Sequence, residues 1–130
     1  MIVGVIHGDL DRNKVDQHLD ELRLLTETAG GEVIDTVVQK INRINPSFFI
    51  GTGKANEIIN RAKQQNISMI IFDDELSPSH VKNFNKLSEE IKIIERSALI
   101  LEIFKQHAQT KESKTQVELA QLQYLSLIHI

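Results

Sequence analysis

The stretch Ile70-Ile71-Phe72-Asp73-Asp74-Glu75-Leu76-Ser77-Pro78-Ser79 constrains the fold more than any other part of the chain. An apolar run ends in three acids, and a helix-start signal follows at once. Ser77 is a favoured N-cap, and Pro78 suits the first helical position, where its missing N–H costs nothing. A buried strand therefore feeds a helix through a short acidic turn. In parallel α/β folds such turns lie at the sheet end where ligands bind.

The same alternation runs along the chain. Residues 1–6 predict a first strand; they are too short, and lack the basic start, for a signal peptide. Val15, Leu19, Leu22, Leu25 and Ala29 recur at helical spacing, with Asp11 or Asn13 as cap and Gly30-Gly31 as stop. Residues 32–39 read as a strand, 40–47 as a polar loop, and 48–50 as a short strand ending at Gly51. Thr52 caps a helix carrying Ala55, Ile58, Ile59 and Ala62, with Asn66 as stop. Residues 69–72 form the next strand, and the helix from Pro78 turns Val81, Phe84 and Leu87 inward. Residues 91–94 are a further strand. Ser97 caps a helix with Ala98, Leu99, Ile100, Leu101, Ile103 and Phe104, apolar over more than half its circumference and expected to be covered on two sides. The pattern is α/β: a mainly parallel sheet with helices on both faces, over residues 1–109. Residues 110–130 begin a separate helical segment, with Val117, Ala120, Tyr124 and Ile128 on one stripe. That stripe has no later element to cover it, so it wants another domain or a second copy; a homodimer through residues 114–130 is one expectation.

The length of 130 residues suits one domain with its own core. No run of about 18 apolar residues is present, so no membrane span is expected. With no cysteine, disulfides and thiolate metal sites are excluded, and a cytoplasmic location fits. Net charge is −3, yet it is unevenly spread. Residues 9–35 carry a balance of −5, whereas residues 36–66 carry +4 from Lys40, Arg43, Lys54, Arg61 and Lys63 against Glu57 alone. An acidic total thus hides a locally basic stretch, and phosphate contact depends on local potential.

Gly51-Thr52-Gly53-Lys54 is a glycine-rich turn before a helix, where free N–H groups favour anions. It is not a P-loop, which needs four residues between its glycines and Ser or Thr after the lysine. A structural turn and a phosphate or RNA-backbone contact are both open readings. Asp73, Asp74 and Glu75 can hold Mg²⁺ or simply mark a capped turn. Lys105, Lys111 and Lys114 lie with Gln106, His107 and Gln109 at a mildly basic junction suited to phosphate contact. The five histidines show no metal spacing; His7, at a strand exit, is the one to watch. No nucleophile elbow and no catalytic set is visible.

Several segments together resemble the N-terminal domain of the HflX family of translational GTPases. They are Thr28-Ala29-Gly30-Gly31-Glu32-Val33, Phe49-Ile50-Gly51-Thr52-Gly53-Lys54 and Phe72–Ser79. Arg96 follows, then Leu99-Ile100-Leu101-Glu102-Ile103-Phe104, and finally residues 116–125. The resemblance implies an α/β subdomain followed by the first arm of a helical hairpin, with a GTPase domain beyond it. It further implies binding to the large ribosomal subunit and its RNA, in ribosome splitting or rescue under stress. GTP and Mg²⁺ would be cofactors of the parent; none is expected in this stretch. Nucleotide binding at Asp73, Asp74, Glu75 and Arg96 is the alternative. Glu95, Ser97 and Ala98 depart from the family's Asp, Thr and Gly, and Ser126–Ile130 replace its Leu-Pro-Arg continuation. Neither the P-loop motif nor the guanine-reading Asn-Lys-x-Asp occurs, so GTP hydrolysis is not expected of this chain.

Overall fold

Residues 1–5 are all buried, which an amphipathic edge strand never shows. They sit at the centre of the sheet in a computed structural model that describes residues 1–107. Strand β1 (Ile2–Ile6) is followed by helix α1 (Arg12–Thr28), β2 (Thr36–Lys40), α2 (Thr52–Gln64), β3 (Met69–Phe72), α3 (Pro78–Leu87), β4 (Lys92–Glu95) and α4 (Arg96–His107). The four strands are parallel in the order β2-β1-β3-β4, with Ile2 opposite both Thr36 and Ile71. The expected fold class is therefore the observed one. Residues 108–130 lie outside the described residues, and with them Lys111, Lys114 and the expected helical arm and dimer stripe.

Alternation along each strand feeds two cores. Val3, Val5, Ile70 and Phe72 pack on one face against Ala55, Ile58, Ile59 and Ala62 of α2 and Phe84 of α3. Ile2 and Ile71 pack on the other against Val15, Leu19 and Leu22 of α1 and Leu99 of α4. Gly4 sets how closely α1 approaches. A Cβ there would come within 2.8 Å of Val15 Cγ1 and 2.9 Å of Leu19 Cδ1. Gly4→Val is accordingly expected to cost about 3 kcal/mol through overpacking, read as a lower urea midpoint with an unchanged slope.

Local signals explain most of the ends. Asp11 caps α1 by accepting from Lys14 N at 2.8 Å, and Gly30 at φ +89 turns the chain out. Ser77 caps α3 with Pro78 as its first residue. Three expectations need correction. Residues 48–50 are not a strand: Asn45 and Phe49 form an isolated antiparallel bridge, and Asn45 Oδ1 accepts from Ser47 N and Phe48 N. The apolar run serves the core from a loop: Phe49 is buried and Phe48 packs half-buried against the same cluster. Thr52 is not a cap, since Gly51 occupies that position at φ 94 and no side chain caps α2. Ser97 is not a cap either, because α4 begins at Arg96 directly after β4. Leu99 is the buried residue of α4, while Ala98, Ile100, Leu101, Ile103 and Phe104 are half-buried.

Candidate nucleic-acid interface at the strand-exit edge

Strand order reverses between β1 and β3, so the crevice beyond their C-terminal ends is the topological switch point of the sheet. His7 and Gly8 leave β1 there, Asp73 and Asp74 leave β3, and Arg96 follows β4. Lys40, the loop of residues 41–50 and Gly51–Lys54 complete the same edge. Gly51 does not leave a strand, as the sequence suggested, but follows the Asn45–Phe49 bridge.

Three acids of that edge, Asp73, Asp74 and Glu95, are already engaged. Asp74 Oδ1 lies 2.8 Å from His7 Nε2. Asp73 accepts from Arg96 Nη1 at 2.8 Å and stands 3.4 Å from His18 Nδ1, while Arg96 Nη2 donates to Glu21 at 2.7 Å. Glu95 accepts from Leu76 N at 2.7 Å. Glu75 is exposed. The network ties α1, the β3 exit and the first residue of α4 together. Among the described residues no group of three or more His, Asp or Glu side chains is arranged to hold a metal ion.

Burial pushes the Asp74 carboxyl above its ordinary value of 3.8, and the hydrogen bond with His7 offsets this only in part. For Arg96, burial works against the charge, but Glu21 and Asp73 outweigh it and raise its pKa. Asp74 therefore keeps its proton to higher pH folded than unfolded. Its contribution to stability is complete below pH 3.8 and is lost as pH rises through the folded value. Asp74→Asn removes that loss. The variant is expected to gain stability relative to the parent sequence at neutral pH, with the gap closing on acidification, in urea titrations at stepped pH.

The basic residues divide by position. Two contiguous grooves of about 650 and 630 Å³ share Ile41 and Asn42. Lys40 and Arg12 line the first, and Arg43, Asn45 and Gly51 the second. Lys40 and Arg43 are exposed and make no ion pair with a described residue. Lys54, in the first turn of α2 with Thr52 and Gly53, meets Glu57 at 3.3 Å. Arg61 lies at the other end of β2, held by both oxygens of Asp35 at 2.6 and 2.8 Å. There burial disfavours the Asp35 charge, yet hydrogen bonds from Gln65 and Arg61 outweigh it and hold the carboxyl below its ordinary range. Lys105 is also on the opposite edge, beside Gly30, Met69 and Lys92.

Sequence reasoning passed over His18, Glu21 and His80. His80 stands where a capping box usually has Glu or Gln, so its role carries no standard signature. Glu21 and His18 sit on one side of α1, one helical turn apart, which is a weak signal without knowledge of what faces it.

By class this is a parallel four-stranded α/β domain with a basic loop at the C-terminal edge of its sheet. The family described as GTP-binding GTPase N-terminal matches residues 16–105. A protein named GTPase HflX from Flavobacterium psychrophilum is 49% identical over 125 residues, covering 96% of this chain and 30% of that protein. The Escherichia coli GTPase HflX is 38% identical, over 94% of this chain and 28% of its own length. A solved GTP-binding protein from the archaeon Sulfolobus solfataricus, in complex with GDP, superposes with a TM-score of 0.61 at 28% identity, covering 95% of this chain and 36% of that one. The chain belongs to the HflX family of GTP-binding proteins, as an N-terminal portion spanning less than a third of these two HflX relatives.

Proposed function

We propose that this chain is the RNA-facing module of an HflX-type GTPase, holding its parent on the large ribosomal subunit in ribosome splitting or rescue under stress. GTP hydrolysis with Mg²⁺ belongs to the parent's own GTPase domain, whose motifs this chain lacks. The carrying observation is the pair of contiguous grooves flanked by Lys40 and Arg43, two exposed cations without carboxylate partners among the described residues. Arginine and lysine beside asparagine amides suit phosphate and sugar contacts. The uncapped first turn of α2, with Gly51–Lys54, extends the same face with free N–H groups. Lys105, on the other edge, would make a separate contact. The nucleotide–Mg²⁺ alternative is less supported, because Asp73, Asp74 and Arg96 already satisfy one another or neighbouring side chains.

Co-sedimentation of the chain with large ribosomal subunits tests this reading. With about three phosphates contacted, log affinity is expected to fall against log salt with a slope of roughly −2 to −3. Salt-independent association, or none at low salt, would overturn it.

A further inference from the structure

The loop that carries Arg43 is fixed from beneath by α3. Asn83 Nδ2 donates to Ser47 O at 2.8 Å. His80 is buried, with Nδ1 accepting from Ser77 N at 3.2 Å, so Nε2 bears the hydrogen and donates to Asn45 O at 2.9 Å. Within the loop, Asn45 and Phe49 exchange two backbone hydrogen bonds of 2.9 Å each. Phe49 stands at φ 70, which non-glycine residues rarely adopt. It is held there edge-on between the rings of His7 at 5.5 Å and His80 at 5.7 Å. These ties order the loop in one conformation.

We infer that Asn83 and His80 are positioning residues of the RNA-facing loop: they build its bound shape before RNA arrives, and touch no RNA themselves. The inference rests on the RNA-binding reading above. Its physical content is preorganisation. A loop already ordered loses little conformational entropy on binding, so untying it weakens affinity without removing a phosphate contact. Asn83 is the better test residue, because it is half-buried on the surface of α3 and alanine is the stronger helix former.

The experiment compares the full chain with Asn83→Ala and Arg43→Ala, using a labelled oligouridylate and large ribosomal subunits as probes across a salt series. Arg43→Ala is expected to reduce the salt slope by about one contact. Asn83→Ala is expected to weaken binding about five-fold, the worth of one hydrogen bond, with the slope unchanged. Amide exchange supplies a readout that needs no ligand. The N–H groups of Ser47, Phe48 and Phe49 should exchange faster in Asn83→Ala, while those of β3 should not change. Unaltered affinity in Asn83→Ala, unaltered loop exchange, or a slope reduced as in Arg43→Ala would each overturn the inference while leaving RNA binding intact. If the unmodified chain binds neither probe, the RNA reading itself falls and the inference with it.

Discussion

Phe84→Ala is expected to lower the free energy of unfolding by about 3–5 kcal/mol. Phe84 is fully buried and stands edge-on to Phe48 at 5.3 Å and tilted against Phe72 at 5.4 Å. Truncation removes its transfer free energy, opens a cavity beside the rings of Phe48 and Phe72, and forfeits two aromatic contacts. A domain of this size has about 5–15 kcal/mol of total stability, so the loss is a large share of it. Urea titration measures the effect directly, with Phe84→Leu expected to recover more than half. A loss below about 1 kcal/mol would mean that the α3 face is not the packed core described here. Phe48 belongs to the loop of residues 41–50, so the variant should also loosen the basic edge.

On the proposed RNA-binding reading, reversing two charges, Lys40→Glu with Arg43→Glu, is expected to weaken binding to large ribosomal subunits about 100-fold at low salt, roughly ten-fold per residue. Both side chains are exposed and unpaired with any described carboxylate, so the free energy of unfolding should stay within about 0.5 kcal/mol of the unmodified chain. That separation of binding from stability makes the variant informative. Arg61→Glu is the control. It reverses a charge already matched by Asp35 at the far end of β2, so it should lower stability and leave binding close to normal. Equal loss of binding in both variants would point to net charge and away from a located face.

The parallel fold was legible in the sequence because each strand is a short apolar run followed by a capped helix, and these signals are local. Ser77-Pro78 and Asp11 were readable for that reason. Residues 48–50 were misread because burial under a turn and burial in a sheet leave the same apolar mark, and Asn45 closing the turn by its side chain decided between them. The basic stretch was visible as a charge imbalance. Its division into Lys40 and Arg43 on one edge and Arg61 on the other depended on Asp35, 26 residues away from Arg61 in the chain. Likewise, nothing near Asp73 in sequence announces Arg96 or His18. Pairings across the fold have no periodicity, so they leave no trace in a single sequence.

Strand β1 stands at the centre of the sheet and is made first. One of its edges is satisfied by β2, but the other waits for β3, which ends at Phe72. At about 5–20 residues per second, the 66 residues from Ile6 to Phe72 take roughly 3 to 13 s to synthesise. Throughout that interval a nearly continuous apolar strand has at least one open edge. The nascent chain is therefore most vulnerable to aggregation until β3 is in place, and a stalled translation product ending short of β3 would be a client for chaperones.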